Sequence, residues 1–279
     1  MTGVLDMRRI MLTIAYDGTD YNGWQIQPEV PTIEGILKQE LSKLLGEDVR
    51  VIGASRTDAG VHAEGAVAVF DTGSMIPGEK FSYALNQSLP DDIVIRKSQE
   101  VASDFHPRRV NCRKTYRYSI WHDMFPMPVN SRYTHWVHYP LDVKAMEDAA
   151  EYFRGEHDFA AFCSAAADVE TTVRTVYDIG VSVDDAPKGK KECAVSDDSG
   201  RKYYGRIDIC VTGNGFLYNM VRIIAGTLID VGCGKIEPDE IADIIASCDR
   251  SRAGNTAPAK GLTLVGYSFD PGDLYGGSR

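Results

Sequence analysis

The chain has 279 residues, a net charge of −10 and a pI near 5.1, with 43% hydrophobic and 25% charged residues. These values fit a soluble globular protein long enough for one large domain or two moderate lobes with a real core. No apolar run approaches the roughly 20 residues that span a bilayer, and the first nine residues lack the apolar stretch and small-residue cleavage site of a signal peptide, so a cytoplasmic protein with no membrane partner is expected.

Net acidity taken alone argues against nucleic acid as a partner, because binding phosphate needs local positive charge. Net charge is a sum, however, and the charges are segregated along the chain. Acid gathers at Asp184–Asp185, at Asp197–Asp198 and between Asp239 and Asp243; base gathers at Arg108, Arg109, Arg113, Lys114 and Arg117. The six cysteines form no C-x-x-C pair and have no histidine at zinc-finger spacing. They read as reduced thiols, with no metal site.

Residues 10–16 (IMLTIAY) predict a strand from their β-branched and aromatic content. Residues 32–45 predict a helix, with Thr32 as N-cap and Ile33, Ile36, Leu37, Leu41, Leu44 and Leu45 on one apolar face. Strands follow at 49–54 and 66–70, a helix at 79–88 and a strand beginning at 93–96. The order is β-α-β-β-α-β. It returns in the second half: a strand at 115–121, a helix at 142–154, strands at 173–183 and 203–212 around a long polar hairpin, apolar and short helices at 217–231 and 238–247, and a closing strand at 262–269. This order predicts an α+β protein of two ferredoxin-like (βαββαβ) halves, residues 1–105 and 106–279.

Three segments carry candidate chemistry. In GASRTDAGVHAEG (53–65), Arg56, Thr57 and Asp58 stand at the end of an expected strand, followed at once by small residues that let a substrate approach the backbone. A lone loop Asp is usually a turn former. Here, two-residue strand spacing would put Arg56 and Asp58 on one face, and His62 and Glu64 add polar groups nearby. In TYRY (115–118), alternation places Tyr116 and Tyr118 on one face and Arg117 on the other. They could simply pack in a sheet, or serve as a stacking platform for bases. In NGFLYNMVR (214–222), Arg222 lies in the most apolar helix. It is either a surface Arg with its stem along the core or a buried cation needing a carboxylate such as Asp58.

RTDAGVHA at 56–63 resembles the signature of the TruA family of tRNA pseudouridine synthases. YDGTDYNGWQ at 16–25, NQSLPDDI at 86–93, DFHPRR at 104–109, KTYRY at 114–118, GEHDFAAF at 155–162, NGFLYNMVR at 214–222 and KGLTLVGYSF at 260–269 extend the resemblance through nearly the whole chain. It implies an enzyme without cofactor or metal that isomerises uridines 38, 39 and 40 of the tRNA anticodon stem-loop. It implies a homodimer whose subunits both contact each tRNA. It also implies that the two halves join in one continuous, mainly antiparallel sheet, with helices on one side and the site in a central cleft.

Residue by residue, the resemblance makes Asp58 the nucleophile and Arg56 the residue that helps to flip the target nucleotide. Tyr116 would pack on the uracil and Arg222 would pair with the nucleophile. Thr57, His62, Phe105, His106, Arg108, Arg109, Arg113 and Lys114 belong to segments expected to bind the RNA.

These residue types suit the chemistry. A base must leave its stack before its glycosidic bond can be reached, at a cost of a few kcal/mol, and a guanidinium can fill the gap and hold phosphate. A carboxylate can attack the ribose or the base, or take the proton needed for a glycal route; the sequence does not choose among these. Asp58 must be ionised in each. Burial would raise its reference pKa of about 3.9 and a neighbouring Arg222 would lower it; the pair is expected to keep it anionic. Tyr116 is a candidate for removing the final proton from C5.

Two segments depart from the family pattern, the acidic 166–170 and a long hairpin at 184–202, and they are expected to alter the grip on tRNA or the target range while leaving the chemistry unchanged. Two other classes compete with this reading: an RNA-binding module without catalysis, and a hydrolase using Asp58 and Glu64 as a carboxylate pair.

Overall fold

The computed structural model describes residues 7–164, 169–183, 195–196 and 202–275. In chain order the elements are β1 (Arg8–Tyr16), α1 (Ile33–Leu45), β2 (Ile52–Gly53), β3 (His62–Thr72), α2 (Phe81–Leu85), β4 (Ile93–Val101), β5 (Cys112–His122), β6 (His135–Val137), α3 (Val143–Glu151), β7 (Gly155–Asp158), β8 (Val173–Val183), β9 (Val195–Ser196), β10 (Lys202–Tyr203), β11 (Gly205–Gly213), α4 (Met220–Gly232), α5 (Glu240–Ser247), β12 (Leu262–Phe269) and α6 (Pro271–Tyr275). The protein is α+β, with mostly antiparallel strand pairing. The chain forms two compact units. One comprises the residues up to Arg113 together with those from Leu264 onward; the other runs from Lys114 to Thr263.

In the first unit β1 pairs antiparallel with both β3 and β4, β2 pairs with β3, and β12 lies on the other side of β3. β1 buries Ile10, Leu12 and Ile14 completely on one face, the period-2 pattern of a strand, and Met11 on the other face joins a second cluster with Val67 and Val69. α1 starts where Thr32 accepts a hydrogen bond from the Gly35 amide and stops at Gly46, which adopts φ +70°, as N-cap and C-cap chemistry requires. Its Ile33, Leu37 and Leu41 are fully buried; each such side chain stabilises the fold by about 1.5–3 kcal/mol.

In the second unit the strand order is β5-β11-β8-β7, with β6 parallel to β5 at its outer end. Ile207, Ile209 and Val211 alternate into the core from β11, and Tyr118 and Ile120 do so from β5. α4 is buried along almost its whole length, including Met220, Ile223, Ile224 and Leu228.

Several boundaries differ from the sequence expectation for local reasons. The strand expected at 49–54 is only Ile52–Gly53; after Ala54 donates to Val67 O at 2.8 Å, the chain turns away to bond elsewhere. The helix expected at 79–88 shrinks to Phe81–Leu85 after a 3₁₀ turn at 78–80. The Asn86 side chain instead bonds both backbone groups of Ile95 on β4, the competition that short amide side chains offer a helix. The helix expected from 217 starts at Met220, because Asn219 adopts φ +62°. Most of the 166–170 and 184–202 segments lies outside the described residues. Among the described residues, no helix is long and apolar enough to cross a membrane.

Candidate active site

Asp58 sits in an irregular stretch between β2 and β3, not on a strand. The two-residue alternation expected to align Arg56 with Asp58 therefore does not apply. The stretch gains its definition from a four-residue turn: Val61 N donates to Asp58 O at 3.2 Å, and Gly60 takes φ +76°. Asp58 is partly exposed, Thr57 and His62 are buried, and Arg56 is exposed.

A second segment, residues 16–24, wraps this turn. Trp24 N donates to Thr57 O at 3.0 Å, and Gly60 N donates to Tyr21 O at 3.3 Å. The hydroxyls of Tyr16 and Thr57 are 2.8 Å apart. Two glycines permit the approach. A Cβ on Gly18 would lie 2.0 Å from Val61 O; one on Gly23, at φ +83°, would lie 2.5 Å from Thr57 O. His62 Nδ1 is 3.1 Å both from Gly18 N and from Asp17 Oδ1. One nitrogen cannot accept from the amide and donate to the carboxylate at once. The Gly18 amide is the donor in the first of these contacts, so Nδ1 acts as acceptor there. Tyr21 donates to Asp92 Oδ1 at 2.7 Å; burial first, and then this carboxylate, push its pKa well above the usual phenol value.

Of these residues, the sequence assigns roles to Thr57 and His62 but none to Tyr16, Asp17, Tyr21, Trp24 or Asp92. The available signal was the pair of glycines in YDGTDYNGW, one needed for close backbone approach and one for positive φ.

Beside this turn the first unit holds a cavity of about 240 Å³ whose lining includes Trp24, Glu34, Arg50, Arg56, His106 and Arg108. The Trp24 indole lies across Gly53, where any Cβ would meet its ring at 2.4 Å. Arg108 Nε donates to Gly53 O at 2.6 Å, and Arg108 N donates to His106 Nδ1 at 3.2 Å. Burial, followed by the charges of Arg109 and Arg108, lowers the His106 pKa. Phe105 faces the other way. It is buried in a cluster with Met11, Ala54, Val67, Val69 and Val101, meets Phe269 edge-on at 5.5 Å, and its carbonyl accepts from Arg9 at 2.8 Å. Its ring thus anchors the segment that presents His106, Arg108 and Arg109, of which both arginines are exposed. Arg113 is exposed on β5, where its neighbour Lys114 is partly buried.

Tyr116 and Arg222 belong to the second unit. Tyr116 is buried on β5 opposite Val211 and meets Phe216 edge-on at 5.3 Å. Tyr118 is fully buried, and its hydroxyl donates to Pro258 O at 3.0 Å. Its pKa is pushed up strongly by burial, opposed by the charge of Arg222. Arg222 is partly buried on α4; its Nε donates to Ala257 O and its Nη1 to Asn219 Oδ1, both at 2.8 Å. The left-handed Asn219 thereby receives the arginine on its side-chain oxygen while its Nδ2 donates to Ser164 Oγ at 2.9 Å. Among the described residues, no group of three or more His, Cys, Asp or Glu is arranged to hold a metal ion.

A partly exposed carboxylate on a turn fixed from both sides, next to a cavity rich in guanidinium groups, suits nucleophilic or proton-transfer chemistry on an anionic polymer. Comparison with known proteins gives this arrangement a family. The family model described as tRNA pseudouridine synthase matches residues 12–108 and 149–270. The chain belongs to the tRNA pseudouridine synthase family. It is 51% identical to tRNA pseudouridine synthase A of Ruminiclostridium cellulolyticum over 259 residues, which covers 93% of this chain and 98% of that protein. It is 48% identical to the protein of the same name from Brevibacillus brevis, over 92% of this chain and 98% of the relative. The family's matched span includes Asp58 and its turn, the Trp24 cavity and Arg222; Tyr116 falls in the interval between the two matched stretches. The chain is accordingly an isomerase, as the family's members are named.

Proposed function

We propose that the protein converts uridine to pseudouridine in the anticodon stem-loop of tRNA, at positions 38, 39 and 40, with Asp58 as nucleophile and the target base flipped out of its stack. The observation that carries this reading is the Asp58 turn: the residues of RTDAGVHA are held by Trp24, Tyr21 and Tyr16, next to a cavity lined by three arginines.

The reaction needs no external electron donor or acceptor. The N1–C1′ bond of the nucleotide breaks, the freed uracil turns, and a C5–C1′ bond forms. N1 gains a proton and C5 loses one, so substrate and product are isomers. Asp58 acts as the carboxylate that attacks the ribose or the base, or that takes a ribose proton. Arg56 takes the place of the extruded nucleotide in the stack. Tyr116 packs on the uracil and takes part in removing the proton from C5, and Arg222 keeps Asp58 ionised. Thr57 and His62 in the turn, together with His106, Arg108, Arg109, Arg113 and Lys114, bind the RNA, with Phe105 as the anchor of the 105–109 segment. The reading includes two ferredoxin-like halves, a homodimeric assembly and a cytoplasmic setting, and it invokes no cofactor.

The test is tRNA transcribed with tritium at C5 of uracil. Tritium release, with the modification mapped to positions 38–40, is the expected result. Binding without release would make the protein an RNA-binding module instead.

A further inference from the structure

The cavity beside the Asp58 turn has an unbalanced lining. Arg50, Arg56 and Arg108 contribute three positive charges and Glu34 one negative charge. Glu34 already accepts the Ile26 amide at 3.1 Å. Among the described residues, Arg50 and Arg56 form no hydrogen bond or ion pair. Two exposed guanidinium groups at one cavity, in a chain of net charge −10, concentrate positive potential there and favour an anion. The neutral groups are also set to donate. Because the lone pair of His106 Nδ1 takes the Arg108 amide, the proton of its neutral ring belongs on Nε2. Because Arg108 spends Nε on Gly53 O, its terminal nitrogens remain for a ligand.

We propose that this cavity seats one backbone phosphodiester of the RNA, next to the nucleotide that Asp58 attacks, with Arg50 as a phosphate ligand. The inference rests on the proposed function and adds to it a discrete phosphate seat and a residue, Arg50, that the resemblance does not assign. Arg50 lies just before β2 and Arg56 just after it, so this short strand positions both arginines. A diester suits the lining because guanidinium forks match phosphate oxygens.

The test compares wild type with Arg50→Ala and Arg50→Lys. Binding of tRNA is measured between 50 and 200 mM salt, and kinetics with the tritiated substrate. Each phosphate contact contributes about 0.7–0.9 to the slope of log K against log salt. Arg50→Ala is expected to weaken binding about tenfold and to flatten the slope by about one contact. The loss should fall on KM more than on kcat. Arg50→Lys should restore most of the slope. A separate arm titrates inorganic phosphate into the free protein and follows the His106 ring resonances. They should shift in wild type and much less in Arg50→Ala. This arm reads the cavity even if no uridine is isomerised, so failure of the seat and failure of the proposed activity can be told apart. An unchanged tRNA affinity and slope in Arg50→Ala overturns the proposal. If phosphate nevertheless shifts His106, the cavity takes a free anion and not the RNA backbone. An unmoved His106 in wild type also overturns it.

Discussion

The hydroxyls of Tyr16 and Thr57 lie 2.8 Å apart in a buried site, one residue before the carboxylate of Asp58. This bond ties the end of β1 to the turn that carries Asp58. Tyr16 also packs at a tilt against Trp24, with ring centroids 6.3 Å apart. Tyr16→Phe keeps that packing and removes only the oxygen. A buried hydrogen bond contributes about 1 kcal/mol net, so a stability loss of that size is expected in urea titrations. If the bond positions Asp58, kcat should fall about fivefold with KM unchanged. A stability loss with unaltered kcat would make Tyr16 a purely structural residue.

Gly18 and Gly23 test the wrapping segment more severely. At Gly18 a methyl group would meet Val61 O at 2.0 Å, an overlap that only backbone movement relieves. At Gly23 the positive φ adds strain to the clash with Thr57 O. Each Ala variant is expected to lose at least about 1–3 kcal/mol of stability and most of its turnover, because the displaced strip of backbone is the one that touches the Asp58 turn. Gly46→Ala is the control. It also has positive φ but meets nothing within 4 Å, so it should lose only about 1–2 kcal/mol from the left-handed backbone and keep its activity. Equal loss of activity in the control would remove the argument from geometry.

The elements legible in the sequence were those with strong periodicity or explicit caps. α1 has both, and its bounds and its Thr32 cap were read correctly. β7 was missed because GEHD is polar and mostly exposed at a sheet edge, so no alternation marks it. β6 was missed because it is three residues long. The motif that carries Asp58 stands out in the sequence, whereas the hydrogen bonds from Tyr16, Tyr21 and Trp24 that hold its turn do not. They join residues 33 to 41 positions apart, mostly through backbone groups, and backbone bonding leaves little trace in residue identity. The cavity was partly legible: its basic residues Arg56, His106 and Arg108 stand out in the sequence, but Arg50 reads as an ordinary strand charge until Trp24 and Gly53 are seen beside it.

Acid sensitivity should follow from buried imidazoles. His122 is fully buried beside Tyr203 and Tyr204. Its Nδ1 accepts from Tyr204 N at 3.3 Å, and Nε2 lies 3.0 Å from Tyr139 O, an arrangement that suits the neutral ring. Burial lowers its pKa from 6.5, and the pKa values of His106 and His135 are lowered in the same direction, also chiefly by burial. A group with a lowered folded pKa binds more protons in the unfolded chain. Its stabilisation is therefore present above the unfolded pKa and is lost as pH falls through the folded one. The unfolding midpoint is expected to drop as pH is lowered below about 6.5. His122→Phe should be less stable at neutral pH, having lost two hydrogen bonds, but should show a shallower decline. Parallel declines in the two proteins would acquit His122.

The carboxylate-pair alternative makes the sharpest contrast with the proposed chemistry. Glu64 lies on β3, exposed, six residues beyond Asp58; Asp58 is in the fixed turn. A hydrolase working through both carboxylates would suffer comparably from losing either. An isomerase with Asp58 as nucleophile would not. Asp58→Asn preserves size and removes the charge, so tRNA binding should persist while tritium release falls by at least about a thousandfold. Glu64→Gln is expected to stay within about threefold of wild type, since an exposed charge away from the reacting atoms contributes little to the barrier. Comparable losses in the two variants, or RNA cleavage in place of tritium release, would transfer the site to hydrolysis and leave the turn around Asp58 as one half of an acid–base pair.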